Sequence, residues 1–423
     1  MIKGPFLNIP NCCFRAILWA CIFILSAISN SYAQTDQEAP ITQSQNAIEK
    51  AQDTPQSPHV KDISDQYMKP MPEFEKMDEK DFMDATQPFH ELPYDEEALE
   101  FNIRLPKDWD ISNQINAASF SLNEKIFTNL NMFKSKPRMG GQSTIELKAM
   151  NLDFYLTAKQ WYMNYLLSNG YTTEAMVADN DQKIESLRVI TEQDITYIQR
   201  TVVYINGDKV IALEYSIPSM FWEQEKSIQA SIIDTFQLVN PKPIEKVKML
   251  DFQFLDIAEM SYPENWKLLA RPMRSVDQMN IKILNVQDAS DSVKSSQGNI
   301  DITLISNRQA NSIIEEISTY KKELESTGVL VGRKLENVED INYFDTPAFV
   351  ATEVYEGIDS KNDAAQYELW FTVMTSGNYF YFFTLLTPSR NTSYIPWTYN
   401  TRGYKMILET FLPQSGAYLD YDQ

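Results

Sequence analysis

The chain has 423 residues, with 58 acidic and 37 basic side chains and a net charge of −21 at pH 7. A surface of this sign repels phosphate backbones, and no Lys/Arg cluster offsets the repulsion, so nucleic-acid binding is not expected. The length allows two domains of ordinary size, each able to bury most of its apolar surface.

The N-terminus has the pattern of a secretory signal peptide over residues 1–33. Positive charges accompany an uncharged apolar run at 16–28, and Ser31 and Ala33 place small residues where a signal peptidase reads. The apolar run is too short for a membrane-spanning helix, which needs about 20 residues. We therefore predict cleavage after Ala33, export to the periplasm or the medium, and a mature chain without a transmembrane segment.

Cysteine and histidine are almost absent from the predicted mature chain. Cys12, Cys13 and Cys21 all lie in the predicted signal peptide, and the only histidines are His59 and His90. Disulfides, thiolate nucleophiles and sulfur-ligated metals are therefore excluded from the mature chain. The sequence beyond His90 cannot form a Ser/His/Asp triad, a Cys/His pair or a histidine metal site. We expect no catalytic, metal or cofactor site of these kinds.

Two different segments precede the first predicted domain. Residues 34–66 lack aromatic side chains and are rich in Gln, Ser, Thr, Asp, Glu and Pro, which predicts an acidic, disordered linker. The stretch 67–94 predicts a short amphipathic helix, because Phe74, Met77 and Phe82 fall on one face and acidic residues fall elsewhere. Two interpretations stay open: the helix packs on its own domain, or these three side chains dock in a groove of a partner protein.

The first predicted domain covers 97–240. Alternating apolar residues from Phe101 to Leu105 predict a strand, and Pro106-x-x-Trp109 predicts the turn that follows it. Gly170 stands where a helix needs a left-handed cap, and Asn206-Gly207 is a hairpin signal. The further predicted elements are strands near 144–150, 188–190, 196–205 and 209–217, and helices at 158–169 and 219–236.

The second predicted domain covers 245–415 and copies this order after Pro263-x-x-Trp266. The aromatic run at 379–383 is apolar at both parities, which predicts a central strand buried on both faces. The other predicted elements are strands at 300–306, 348–355, 366–375 and 379–387, and helices at 312–327 and 398–411.

Matched spacings relate the two domains. Gly170 follows Pro106 by 64 residues, and Gly328 follows Pro263 by 65. The terminal helices end in Asp-Thr-Phe and Glu-Thr-Phe. These matches in order argue for a tandem duplication. The paired positions are Trp109 and Trp266, Gly170 and Gly328, Gly207 and Gly377, Trp222 and Trp397, and Phe236 and Phe411.

A strand into Pro-x-x-Trp, a middle helix, antiparallel strands and a terminal helix ending Asp/Glu-Thr-Phe resemble the PsbP-like superfamily. The resemblance covers each repeat and rests on the paired residues named above. It implies an α+β fold of two tandem α/β/α sandwich modules, each a central, mostly antiparallel sheet flanked by helices. It also implies binding, assembly or stabilising functions rather than catalysis. Trp109 and Trp266 then read as plugs at the end of a sheet, with a ligand cleft as the alternative.

Three functional hypotheses follow. The leading one is an exported, non-enzymatic binding or assembly protein whose modules are surfaces for envelope or secreted protein partners. The second is a carboxylate-based hydrolase, which needs two carboxyls about 5–9 Å apart, with Glu214, Glu353 and Glu368 as candidates on predicted strands. The third is small-ligand binding between the modules.

Overall fold

The computed structural model describes residues 63–112, 122, 126–245, 247–270, 278–286, 296–306, 312–326, 328–343, 349–360 and 364–413. These residues all belong to one compact unit of the chain, Thr54–Gln423. The predicted signal peptide, its cleavage site and nearly all of the predicted 34–66 linker lie outside the described residues. Within the described ranges, every helix is too short or too polar to cross a bilayer.

Among its described residues, the first module has ten strands and three α-helices. Seven strands form an antiparallel sheet in the order β3-β4-β5-β9-β8-β7-β6, the first sheet, and β1-β2-β10 form a small one. The helices are α1 (Glu79–Ala85), α2 (Ala158–Asn169) and α3 (Trp222–Thr235). The strands are β1 (Thr86–Glu91), β2 (Phe101–Pro106), β3 (Asp110–Ser112), β4 (Thr128–Lys134), β5 (Thr144–Asn151), β6 (Ala175–Asn180), β7 (Lys183–Glu192), β8 (Ile195–Asn206), β9 (Lys209–Pro218) and β10 (Gln237–Leu238).

The second module has the same strand order. Its seven-stranded antiparallel sheet, the second sheet, runs β13-β14-β15-β19-β18-β17-β16, and β11-β12-β20 form a small sheet. Its helices are α4 (Ile313–Ser326) and α5 (Tyr394–Thr410). Its strands are β11 (Met249–Phe254), β12 (Ala258–Pro263), β13 (Lys267–Ala270), β14 (Gln278–Val286), β15 (Ser296–Ser306), β16 (Val329–Asn337), β17 (Phe349–Asp359), β18 (Ala364–Ser376), β19 (Tyr379–Pro388) and β20 (Leu412–Pro413).

Most predicted elements lie where the sequence places them. The aromatic run at 379–383 lies in β19, the middle strand of the second sheet, and it is mostly buried. Gly170 caps α2 with a φ of 65°, in the left-handed region that glycine tolerates best. The hairpin signal at Asn206-Gly207 is shifted by one residue, because Asn206 pairs with Lys209 and the turn is Gly207-Asp208.

The predicted amphipathic helix is wrong in its extent. Helix α1 begins only at Glu79, because the Asp78 carboxylate caps it by accepting a bond from the Lys80 amide at 3.0 Å. Phe74 and Met77 precede α1 in a segment without regular secondary structure. The first module also begins before residue 97, since β1 pairs along its whole length with β2.

The repeated sequence signals correspond to repeated contacts. The Trp109 amide donates to the Pro106 carbonyl at 3.3 Å, and the Trp266 amide donates to the Pro263 carbonyl at 2.9 Å. Thr235 Oγ1 accepts from the Arg104 amide at 2.9 Å, and Thr410 Oγ1 accepts from the Ser261 amide at 3.0 Å. These threonines tie the terminal helix of each module to the strand that leads into its Pro-x-x-Trp turn.

The two modules share a hydrophobic core, and the first module has a further core of its own. Met150, Tyr162 and Ala212 of the first module belong to the same buried cluster as residues of the second sheet and α5. Helix α2 lies between the first sheet and α5: Tyr162 OH is 2.7 Å from Ser186 Oγ on β7, while Asn164 Oδ1 accepts from Thr398 Oγ1 at 3.1 Å. Helix α3 covers the opposite face of the first sheet, where Ile232, Ile233 and Phe236 are buried.

Further polar contacts fasten the two modules. Tyr399 OH donates to Asp153 Oδ2 at 2.6 Å, and Arg402 Nε donates to the Tyr155 carbonyl at 3.2 Å. The Arg402 guanidinium also lies 3.9 Å from the centre of the Tyr155 ring. Side chains of α2, of α5 and of the loop that precedes α2 therefore fill this part of the contact between the modules.

Candidate functional site

The three residues of the predicted docking face all contact the first module. Phe82 is 8% exposed and belongs to its core. The Phe74 ring packs edge-on against Trp222 at 6.1 Å and lies 4.4 Å beneath the Arg200 guanidinium. The Met77 amide donates to Ser231 Oγ on α3 at 3.0 Å. These contacts agree with the interpretation in which the segment packs on its own domain.

The paired tryptophans are packed within the fold. Trp266 is 5% exposed and its ring lies against Gly403 of α5, where a Cβ atom would come within 2.4 Å of the ring. Trp109 packs edge-on against Tyr215 at 5.6 Å. Trp222 contacts Phe74, as described above. Trp266 therefore lies in the core as a plug, and Trp109 is half-buried against the core of the first module.

Glu368 lies at the centre of a buried ion pair. Its carboxylate accepts bonds from Arg390 Nε at 2.8 Å, from the Arg390 amide at 3.0 Å and from Trp397 Nε1 at 2.8 Å. Trp370 Nε1 and Arg390 Nη2 donate to its second oxygen at 3.2 and 2.9 Å. Glu368 is 1% exposed. Burial alone would lower the pKa of Arg390, but hydrogen bonds and attraction from Glu368 and Glu336 raise it. This carboxylate has its hydrogen-bonding capacity filled by the fold.

Glu353 lies on the other face of the second sheet, beside α4. It accepts bonds from Lys334 Nζ and from Tyr355 OH, and Lys321 Nζ of α4 is 3.1 Å from that hydroxyl. Burial opposes ionisation of Glu353, yet the hydrogen bonds from Lys334 and Tyr355 lower its pKa. Burial lowers the pKa of Lys321, although attraction to Glu353 acts in the opposite direction. Because Glu368 contacts α5 and Glu353 contacts α4, the two carboxylates do not face each other.

Glu214 lies on the α2 face of the first sheet, directly opposite Glu146 across β5 and β9. Lys148 Nζ bridges the two carboxylates at 2.8 Å each. Burial would lower the pKa of Lys148, but attraction to Glu214 and Glu146 raises it. The ammonium group therefore occupies the space that a substrate would need between two catalytic carboxylates.

A second polar row crosses the same face. Arg188, Gln199 and Ser216 are cross-strand neighbours on β7, β8 and β9. Gln199 Nε2 donates to Ser216 Oγ at 3.1 Å and to Glu214 Oε2 at 3.3 Å. The Arg188 guanidinium stacks 4.3 Å from the centre of the Tyr171 ring, just beyond the end of α2. We call Arg188, Gln199 and Ser216 the Arg188 row, and all three side chains are buried.

Sequence reasoning did not single out Lys148, Arg188 or Arg390. Each of them stands in or beside a predicted strand, where alternation predicts a solvent-facing polar side chain. The charged partners are far apart in sequence, so only the strand register and the helix placement reveal that these side chains are buried. The one signal in the sequence is the alternation of apolar and charged residues at 145–149, which places Glu146 and Lys148 on the same face of a strand.

An exposed apolar tip lies at one end of the first sheet. Met139 is 91% exposed and Met220 is 62% exposed. The two are brought together because Met220 covers Gly140: a Cβ there would lie 1.9 Å from Met220 Sδ. We call Met139 and Met220 the methionine tip.

Arg138 fixes the loop beneath the methionine tip. Its guanidinium lies 3.6 Å from the centre of the Phe221 ring and pairs with Glu225 on α3 at 2.5 Å. Arg138 Nη2 also donates to Ser143 Oγ at 2.8 Å. The backbone that carries Met139 is thus held by contacts to α3 and to the start of β5.

Comparison with known proteins adds limited information. No protein-family model and no curated protein matches the chain. Among solved structures, the chain is similar to a cyanobacterial PsbP from Synechocystis sp. PCC 6803, with 11% identity, 36% of this chain and 92% of that chain covered, and a TM-score of 0.26. It is also similar to the Ran-binding protein Mog1p of Saccharomyces cerevisiae, with 9% identity, 40% and 96% covered, and a TM-score of 0.29.

A third similar structure covers more of the chain. It is the immunity protein TplEi of T6SS from Pseudomonas aeruginosa, with 10% identity, 74% of this chain and 95% of that chain covered, and a TM-score of 0.19. PsbP-like neighbours are thus found over part of the chain only. At these scores the similarities assign no family and no activity.

Proposed function

We propose that the protein is an exported, non-enzymatic binding protein of the cell envelope or the secreted fraction, and that a protein partner docks on the methionine tip. The observation that carries the proposal is that Met139 and Met220 are largely exposed on a backbone fixed by Arg138. Exposed apolar side chains on a fixed surface favour protein contacts, and methionine adapts its shape to a partner.

The charged side chains support binding over catalysis. Glu368 accepts its bonds from Arg390 and two tryptophans, and Glu214 and Glu146 share one lysine. A glycosidase acid needs a carboxyl that faces both its partner carboxyl and the substrate. The three candidate catalytic carboxylates, Glu214, Glu353 and Glu368, instead form ion pairs with other side chains of the fold.

The proposal extends to the origin of the fold. We infer that the two modules are PsbP-like and arose by duplication. The inference is supported by the shared strand order and by the equivalent Thr235 and Thr410 contacts. The shared core supports a single rigid body that presents both modules together to a partner.

The test uses the mature full-length chain as bait against envelope and secreted fractions of the native host. The Met139→Ser/Met220→Ser variant is compared with wild type and with Ile314→Ser, which changes a 52% exposed apolar residue of the second module. We expect a specific protein to be retained by wild type and by Ile314→Ser and lost with the tip variant. Equal retention by the tip variant, or no protein retained above an unrelated acidic bait, contradicts the proposal.

Export is tested separately. N-terminal sequencing of the secreted or periplasmic protein should begin at Gln34, as the cleavage pattern predicts. Recovery of the uncleaved chain in the cytoplasm contradicts the exported location.

A further inference from the structure

We propose that the Arg188 row of the first sheet binds a carboxylate group borne by an apolar or aromatic ligand. The observation is a largely buried arginine whose Nε has no acceptor. Arg188 is 7% exposed, and its Nε atom is buried without a hydrogen-bond partner. Within the described part of the chain, Arg188 forms no ion pair. Its guanidinium stacks on the Tyr171 ring at 4.3 Å.

An arginine in this state is costly for a folded protein. Removing a cation from water is unfavourable unless an anion and hydrogen bonds compensate for it. The other buried arginines of the described residues have such partners: Arg200 pairs with Glu185, and Arg390 pairs with Glu368. Arg188 therefore differs from them in a way that a bound carboxylate would correct, because the guanidinium fork matches carboxylate geometry.

Neighbouring side chains supply further donors. Ser216 Oγ accepts a bond from Gln199, which leaves its own hydroxyl hydrogen for another acceptor. Tyr165 of α2 stands close enough to Arg188, Lys148 and Glu214 for each to act on its ionisation. Burial and the charge of Glu214 raise the pKa of Tyr165 to about 12, so its hydroxyl stays protonated near neutral pH and can donate.

The charges around the row favour a carboxylate over a phosphate. Glu146 and Glu214 lie on the same face and are both bound by the single charge of Lys148. The two carboxylates carry one more negative charge than Lys148 balances, and this surplus repels a phosphate dianion more strongly than a singly charged carboxylate.

Aromatic side chains lie beside the Arg188 row. Trp161 and Tyr165 stack at 5.5 Å with an interplanar angle of 12°, and Tyr171 meets Tyr165 edge-on at 5.9 Å. Tyr171 is 37% exposed. Phe127 packs edge-on against Trp161 and Tyr165 at 5.7 and 5.6 Å, so an apolar or aromatic group attached to the carboxylate would pack beside the exposed Tyr171. Such a ligand has two sources, a free organic acid or the C-terminus of a peptide.

The test is a titration of the mature protein with sodium benzoate, followed by the Nε–H signals of ¹⁵N-labelled arginine. Arg188→Lys identifies the Arg188 signal by its absence. We expect this signal to move on addition of benzoate, with binding at least tenfold weaker in Arg188→Met. The matched control Arg333→Met removes an arginine that is 61% exposed on the second module, and it should bind benzoate as wild type does.

The remaining arms separate ligand classes and keep the proposal open to refutation. A peptide ending in a free Phe carboxylate, compared with its C-terminal amide, distinguishes a peptide source from a free acid. Inorganic phosphate at equal ionic strength should bind more weakly than benzoate. An Arg188 signal that does not move in wild type overturns the proposal, as does equal benzoate binding by Arg188→Met or tighter binding of phosphate. The wild-type titration decides the question even if Arg188→Met fails to fold.

Discussion

At the scale of single residues, the buried Glu368 carboxylate is the most strongly engaged charge in the described structure. We expect Glu368→Gln to lower the free energy of unfolding by about 3–5 kcal/mol, because it leaves the Arg390 charge buried without its main partner. Urea unfolding of the mature protein measures the change. Glu264→Gln is the control, since it breaks the pair with Lys248, which is 72% exposed, and should cost less than about 1 kcal/mol. Equal losses in the two variants would mean that the Glu368 pair is not needed for stability.

Glu353 makes a pH-dependent contribution with a defined sign. Its pKa is lower in the folded protein than its usual value of 4.5, because hydrogen bonds from Lys334 and Tyr355 outweigh burial. The unfolded chain therefore binds more protons as the pH falls through this range, and the contribution is lost on acidification. We expect Glu353→Gln to destabilise the protein at pH 7 and to approach the wild type in stability at pH 3. A stability difference that is the same at pH 7 and pH 3 contradicts this assignment.

At the scale of elements, the threonine at the end of each terminal helix closes its module. Thr235 accepts a bond from the Arg104 amide and Thr410 accepts one from the Ser261 amide. Thr→Val at either position keeps the shape of the side chain and leaves a backbone donor unpaired, which costs about 1–3 kcal/mol. We expect Thr235→Val and Thr410→Val to lower stability by similar amounts in thermal and urea unfolding.

A matched control separates this bond from general helix effects. Thr398 is buried in the same helix as Thr410, but its hydroxyl bonds to α2 and to carbonyls of its own turn rather than to a strand amide. Unlike Thr398→Val, the two closing variants should expose the amides of Arg104 or Ser261 to hydrogen exchange. Unchanged protection of both amides would show that the threonines do not close the modules.

The elements also show what the sequence alone can predict. Strands such as β8, β9 and β19 were predictable, because their apolar pattern and flanking turn residues are local. The extent of α1 was not predictable. Phe74 fits the helical pattern of the sequence, but it lies outside α1 and packs on Trp222, which is far along the chain. The partners of Lys148 and Arg188 depend on strand register, and no local pattern records it.

Helix α5 is buried on several sides. Its buried residues include Trp397, Thr398, Asn400 and Thr401, which point in several directions around the helix. A helix buried on most sides lies between two layers rather than on a surface. Thr398, Asn400 and Thr401 are polar and would be read from the sequence as solvent-facing, so only the structure shows that α2 of the other module covers α5.

At the scale of the whole molecule, the shared core limits how independently the two modules fold. The first module pairs β1 with β2, so an isolated first half must begin near residue 63 rather than 97. Its outward α2 surface would expose Asn164 and the residues around it, which contact α5 in the intact chain. Each half has its own sheet and helices, which predicts that each half folds alone.

We expect residues 63–244 and 245–415 to fold when expressed separately, but with melting temperatures several degrees below that of the intact chain. Cutting the chain exposes apolar surface on α2 and α5 that the shared core buries. For the same reason the two halves should associate when mixed, and the intact chain should unfold in one transition. Calorimetry of the intact chain and of each half, with analytical ultracentrifugation of the mixture, measures both effects.

As a control, Tyr399→Ala with Arg402→Ala removes the bonds to Asp153 and Tyr155 and should weaken association of the halves. Two transitions in the intact chain that coincide with those of the isolated halves, with no association on mixing, would show that the interface does not couple the modules.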